Sequence, residues 1–455
     1  MAVQRSSSLF SIISKFLFGD SDLKNLARNS SWVFISNNYK TLLVFLRSIV
    51  IARFMGVEFF GVYAFIYAQI ATLQQFLNMN IPDMLIRFGG DYHYKDQPQK
   101  LVSTLKAGLL VIAASAVIYF GICYPIFSLS DQIRSFGIGD EVLLFAGACA
   151  FRYLDDLSQS LLRIFLKFRF NSVLQIITYS LDFLIVSTVI IMNPHNLKIF
   201  FVAIIISRVL TSMILNTSVF IELRRELLPW LSSGIRAILP DLKPMIRFTL
   251  GNSVFMSLHT LKREGDVLLL GIWTNPVIVG VYSAAKRMAF GIMVLADPLV
   301  NAVYPQLVGM VSGEKKKKMQ SFLKKATKIL VISAIILIPL AIIFGRWLFR
   351  TVLGPGFELS YIPFLILLSG SLVGFILFWV IPLLRSLNKT GVLILTQLIT
   401  LASGLALAYW LTPLWEASGM AIALSVSLLA GIISAFPFIR KSLKEDEVQQ
   451  SFNGS

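Results

Sequence analysis

The sequence predicts an all-α membrane protein with twelve transmembrane helices in two six-helix lobes. Composition is the first reason. Hydrophobic residues fill 56% and charged residues 14% of 455 positions, whereas a soluble domain carries about 25% charged residues. The second reason is that twelve mostly apolar segments reach the roughly 20 residues needed to cross a bilayer. They lie at 30–52, 59–79, 103–124, 141–163, 171–192 and 197–221, then at 246–272, 279–304, 328–349, 358–380, 391–412 and 416–438. The third reason is a repeat. Gly61-Val62-Tyr63-Ala64 recurs as Gly280-Val281-Tyr282-Ser283, an offset of 219, each between two apolar helical stretches. A repeat spanning half of an apolar chain suggests two similar lobes with the substrate path between them.

Each half has six spans, so both enter the bilayer from the same side, and their pseudo-two-fold axis should run along the membrane normal. The predicted divisions are an amphipathic N-terminus (1–29), a first lobe (30–221), a linker (222–245), a second lobe (246–438) and a tail (439–455). The N-terminus mixes Leu9, Phe10, Ile12, Ile13, Phe16 and Leu17 with Lys15, Lys24 and Arg28. It lacks a small-residue cleavage site, so it reads as a surface helix and not as a signal peptide.

The net charge of +17 has a topological explanation. One set of connections contains Arg87, Lys95, Lys100, Lys167, Arg169, Arg224, Arg225, Arg236 and Lys243, then Lys315 to Lys318, Lys324, Lys325, Arg385, Lys389, Arg440, Lys441 and Lys444. The other set offers little beyond Arg53, Arg134 and Arg350. Positive charge stays cytoplasmic, which puts both termini inside and removes the need for a nucleic-acid partner. Cys123 and Cys149 lie in apolar runs and read as small buried hydrophobes. No zinc spacing or disulfide framework occurs, and no metal or cofactor is expected.

Ionisable residues inside spans cost free energy unless they face a partner or water. Asn37, Lys40, Val44 and Arg47 share one helical face. So do Arg152, Asp155, Asp156, Gln159 and Arg163, and so do Asn252, His259, Lys262, Arg263 and Asp266. Asp182 and Arg208 lie 13 positions on either side of His195, so an antiparallel hairpin would bring them level as a structural pair. Lys40, Arg47, His259, Lys262, Arg263, Lys286 and Arg287 outnumber the nearby carboxylates Glu264, Asp266 and Asp297. That excess reads as an anion-binding surface. The carboxylates Asp266, Asp297, Asp155 and Asp156 have two readings, as ion-pair partners or as groups that couple transport to an ion.

The run Ala52-Arg53-Phe54-Met55-Gly56-Val57-Glu58-Phe59-Phe60-Gly61-Val62-Tyr63-Ala64 resembles the first-loop signature of Wzx-type polysaccharide flippases. Asp266-Val267-Leu268-Leu269-Leu270-Gly271, Val279-Gly280-Val281-Tyr282-Ser283-Ala284-Ala285 and Tyr304-Pro305 are similar to that family as well. Those transporters belong to the multidrug/oligosaccharidyl-lipid/polysaccharide exporter superfamily. The resemblance implies two lobes around a V-shaped cavity that opens alternately to each side. It implies an undecaprenyl-diphosphate-linked oligosaccharide as cargo, turned to the outer leaflet of a bacterial inner membrane. In similar flippases, cations of the first, second, seventh and eighth spans line the cavity. The matching positions here are Lys40, Arg47, Lys262, Arg263, Lys286 and Arg287. The second span departs from that pattern, being polar but uncharged. Expected partners are the lipid-linked oligosaccharide, membrane lipids, H+ or Na+ as coupling ion, and the polysaccharide polymerase machinery.

No Gly-x-x-x-x-Gly-Lys-Ser/Thr loop occurs, so ATP hydrolysis by this chain is not expected. The rival readings are a multidrug exporter of the same fold, an integral-membrane enzyme of polysaccharide synthesis and a non-transporting scaffold. A drug exporter would want an acidic cavity for cationic drugs. An enzyme would want a large outer loop, and the longest here, near 125–140, offers only Asp131, Arg134, Asp140 and Glu141 as charged residues. The topology is testable. In a background lacking Cys123 and Cys149, Ser130→Cys should label from outside with an impermeant thiol reagent and Ser321→Cys should not. Labelling of both from outside would overturn the orientation.

Overall fold

The computed structural model describes residues 21–130, 133, 135–227, 234–294, 316–386 and 390–453. Among the described residues the chain is nearly all helix and has no strand. The long helices are α1 (Ser21–Leu77), α2 (Pro98–Ser128), α3 (Gly139–Cys149), α4 (Phe151–Ile164), α5 (Phe168–Met192) and α6 (Leu197–Leu227). They continue as α7 (Leu242–Trp273), α8 (Pro276–Val294), α9 (Lys316–Leu348), α10 (Tyr361–Ile376) and α11 (Thr390–Asn453). Seven stretches of described helix are long and apolar enough to cross a membrane.

Apart from a few terminal residues, the predicted spans fall on these helices. The end of the eighth, 295–304, lies outside the described residues, as do Asp297 and residues 1–20 of the predicted surface helix. Two spans share α1, which bends at Gly56 (φ 81°, ψ 172°), a conformation that costs glycine little because it has no Cβ. Two more share α11, which bends at Glu416 (φ 47°).

The described residues group into two compact units. One draws on Met1–Arg47, Leu77–Val189 and Lys198–Ser253. The other draws on Ser48–Phe76, Ile190–Leu197 and Val254–Ser455. These differ from the sequence halves, because the end of the first span and most of the second pack with the second half of the chain.

The packing of the second unit explains that grouping. A Cβ on Gly61 would overlap the Pro276 carbonyl and come within 2.7 Å of the Gly280 nitrogen. A Cβ on Gly280 would overlap the Val57 carbonyl. With the offset of 219, Val57 corresponds to Pro276 and Gly61 to Gly280, so the contact is reciprocal. Residue i meets j and j meets i, as in a self-complementary two-fold interface. Close backbone approach through small residues is how helices associate where lipid supplies no hydrophobic drive. Around this point Arg53 donates to the carbonyls of Arg350 (3.3 Å) and Thr351 (3.0 Å). Phe60 meets Phe357 edge to face at 5.8 Å, and the His195 amide donates to Phe54 O at 3.2 Å.

The first unit anchors the linker and the start of α7. Tyr92 Oη (2.7 Å) and Lys100 Nζ (3.0 Å) both donate to Asp241. The Tyr92 hydroxyl first, then Lys100, holds the Asp241 carboxyl below its usual range. Asn252 donates to Asp83 (2.7 Å), Asn80 donates to Asn252 O (3.1 Å), and the Arg87 guanidinium sits 4.4 Å over Phe248.

The glycine contact makes a sharp prediction. Overpacking costs about 1–3 kcal/mol, which exceeds the roughly 1 kcal/mol that alanine gains over glycine in a helix. Gly61→Ala and Gly280→Ala should therefore each lower the melting temperature in detergent. Gly251, with nothing within 4 Å of an added Cβ, is the control, and Gly251→Ala should hold or raise it. Equal melting of all three variants would refute the contact.

Candidate substrate site

In the first unit, one face of α6 carries Arg208, Ser212 and Asn216 at steps of four, which point the same way. All three converge on Asp155 of α4. Arg208 Nη2 donates to Oδ2 at 2.7 Å, while Ser212 (2.5 Å) and Asn216 (2.8 Å) donate to Oδ1. Ser158 completes the cluster on Asn216 Oδ1 at 2.6 Å. Asp182 of α5 accepts from Ser207 at 2.7 Å and pairs with Arg47 of α1.

The predicted pair Asp182–Arg208 therefore exchanges partners. The hairpin does bring Asp182 level with α6, where it meets Ser207. Arg208 lies one residue on, about 100° around the helix, and turns to Asp155 instead. Arg152 takes Asp156 at 3.6 Å. Lys40 Nζ stands 4.9 Å over the Tyr179 ring.

In the second unit, α7 and α8 carry the remaining cations. Asp266 is buried and accepts Lys286 Nζ at 2.8 Å on one oxygen and Tyr282 Oη at 2.5 Å on the other. Lys286 also donates to Arg263 O at 2.5 Å. Its charge is thus committed within the protein. Arg263 pairs with Glu264 at 2.9 Å, with the arginine side chain 55% exposed. That contact supplies a partner for Glu264, which sits off the cationic face. His259 is exposed on the same helix.

Lys262 and Arg287 stand apart. Lys262 Nζ donates to Gln397 Oε1 of α11 at 3.1 Å. Arg287 donates to Ser48 and lies 5.0 Å over Phe60 and 5.9 Å over Tyr63. Among the described residues neither has a carboxylate partner. A guanidinium stacked on rings is oriented by cation–π attraction, and its planar fork suits a phosphate.

Several of these contacts have no warning in the residue pattern. Gln397 is the partial exception, as an amide in the otherwise apolar span 391–412. Ser48, Phe60 and Tyr179 carry no local signal, because their roles depend on which helix lies opposite. Among the described residues no His, Cys, Asp and Glu cluster could hold a metal ion.

Helices of this length and apolarity around buried ion pairs define a multi-pass integral membrane protein. The chain belongs to the polysaccharide biosynthesis protein family, whose profile residues 26–311 match. No curated protein matches it in sequence. It is similar in structure to the lipid II flippase MurJ in an inward closed conformation, at 12% identity, with a TM-score of 0.66 and coverage of 89% of this chain and 87% of that one. It is similar to an inward-facing multidrug resistance MATE family transporter of the MOP superfamily, at 14% identity, TM-score 0.69 and coverage of 89% and 95%. A mutant of the Vibrio cholerae MATE transporter VcmN matches at 13% identity, TM-score 0.60 and coverage of 93% and 98%. These likenesses establish the fold that the sequence predicts.

The exchanged ion pairs can be tested directly. Losing one partner of a buried pair costs more than losing both. Arg47→Gln and Asp182→Asn should each destabilise the protein, and the double variant should recover part of the loss. Arg208→Gln should not rescue Asp182→Asn. Rescue by Arg208→Gln would restore the pairing expected from the sequence.

Proposed function

We propose that the chain carries an undecaprenyl-diphosphate-linked oligosaccharide from the inner to the outer leaflet of a bacterial inner membrane. It does so by alternating access, with both termini cytoplasmic and no covalent chemistry. The observation that carries this reading is the pair of cations, Lys262 and Arg287, held in an apolar unit without carboxylate partners among the described residues. Charge at membrane depth is expensive unless it is neutralised or hydrated, and a diphosphate supplies the missing negative charge. Arg287 offers a bidentate fork and Lys262 a point charge. His259 and Arg263 extend the same set, and Lys40 belongs to it in the first unit, where Arg47 acts at one remove through its pair with Asp182. Lys286 acts at one remove, through its hold on Asp266.

Membership of a polysaccharide biosynthesis family supports a glycan intermediate as cargo, and a lipid II flippase among the structural neighbours supports a lipid-linked one. The MATE likeness would equally suit drug export, but a cationic drug would meet a basic surface. The polysaccharide polymerase machinery is the partner that would receive the product.

Coupling to H+ or Na+ requires a carboxylate that can change state cheaply. Asp155 is held by three donors and Asp266 by Lys286 and Tyr282, so both serve better as anchors. Among the described residues the Asp156 carboxylate has one long contact, to Arg152, and we assign the coupling role to it.

Export assays in a strain lacking the transporter test both assignments. Each charge-assisted contact is worth about 1.5–3 kcal/mol, so Arg287→Ala should lower glycan export at least about tenfold. Arg287→Lys should keep only part of it. Wild-type accumulation of the lipid-linked oligosaccharide in the outer leaflet of an Arg287→Ala, Lys262→Gln strain would sink the binding assignment.

In proteoliposomes, Asp156→Asn should lose gradient-driven transport yet keep exchange at equilibrium, whereas Asp155→Asn should fail by losing folded protein. Gradient-driven transport by Asp156→Asn at the wild-type rate would remove Asp156 from the coupling step.

A further inference from the structure

A cavity of about 760 Å³ opens on the side of the first unit between α2 and the α3–α4 pair. Its lining is apolar except for Lys106, at the end nearest the start of α2. From Lys106 to Ala116 the groove follows ten residues of helix, roughly 15 Å at 1.5 Å per residue. Its floor is small: Ala113 and Ala116 on one wall, Gly147 and Ala150 on the other. Gly147 has no packing reason to be glycine. The nearest atom to an added Cβ is Phe120 Cε2 at 3.5 Å, an ordinary contact, while glycine weakens a helix by about 1 kcal/mol. The absent side chain leaves space that no described residue of the unit fills. Water would find almost no hydrogen-bond partner there.

We propose that this groove seats one acyl chain of an anionic phospholipid, with the lipid phosphate at Lys106. The walls match a hydrocarbon chain, and the single cation lies at the end that the charge pattern places at the cytoplasmic face. Anionic lipid is concentrated in that leaflet, and one lysine near it contributes about 1 kcal/mol. Ile235 of the linker lines the same cavity. The linker is tied down beside it by Ser103, which donates to Gly234 O at 2.9 Å, and by Lys100 on Asp241. A lipid seated there therefore rests against the segment that joins the two halves of the chain.

Native mass spectrometry of the purified full chain, with dioleoyl phosphatidylglycerol or dioleoyl phosphatidylcholine added, tests this. The wild type should retain one phosphatidylglycerol in preference to phosphatidylcholine. Lys106→Gln should weaken phosphatidylglycerol binding about fivefold, the equivalent of 1 kcal/mol, and leave phosphatidylcholine unchanged. Ala113→Phe with Gly147→Leu fills the groove from both walls, and retention of both lipids should fall. Phosphatidylglycerol retention equal to wild type in either variant overturns the proposal. So does displacement of the bound lipid by undecaprenyl phosphate at equal concentration, which would make the groove a seat for the cargo's tail. If the double variant does not fold, Lys106→Gln decides alone.

Discussion

The approach of Gly61 to Pro276 and of Gly280 to Val57 is the constraint around which the second unit is organised. Each glycine lets a backbone carbonyl of the other repeat come where any Cβ would stand. Lipid offers helices no hydrophobic reason to associate, so contact area and short approach must supply the attraction. Because the two contacts are exchanged by the internal repeat, a single geometric solution is used twice. That economy accounts for the recurrence of Gly-Val-Tyr. It also explains why Ser48–Phe76 groups with the second half of the chain.

A second constraint follows from the solvent. Charge left unpaired in hydrocarbon is costly, and the first unit meets that cost with one helix. Ser207 and Arg208 are neighbours on α6, yet they serve two carboxylates on two different helices, Asp182 and Asp155. Ser212 and Asn216 add to Arg208 on Asp155, and Ser207 adds to Arg47 on Asp182. Such a network ties α1, α4, α5 and α6 together through directional bonds that packing alone would not provide. Neutralising a partner here would first be felt as lost stability.

Against that background the cations without carboxylates gain meaning. Lys286 and Asp266 form a closed pair, with Tyr282 on the far oxygen. Among the described residues Lys262 meets a neutral amide, and Arg287 a hydroxyl and aromatic faces, with no carboxylate on either. Part of the cationic stripe is therefore paired within the protein, while Lys262 and Arg287 have no carboxylate partner among the described residues. This difference between the cations is the observation on which the proposed cargo rests.

The number and positions of the spans were legible in the sequence because length and apolarity are local properties. So was the repeat, whereas the bend at Gly56 inside one continuous helix came only with the structure. The cationic residues could be found too, since a charge in an apolar run needs no neighbour to be noticed. What the sequence could not determine is which charge answers which. Helical phase turns Arg208 away from Asp182 by one residue's rotation, and Glu264 finds Arg263 at the preceding position. The placement of Gln397 beside Lys262, of Ser48 and Phe60 beside Arg287, and of the second span with the second half of the chain was decided by tertiary structure. Those choices depend on distances between helices far apart in the chain, which no window of residues encodes.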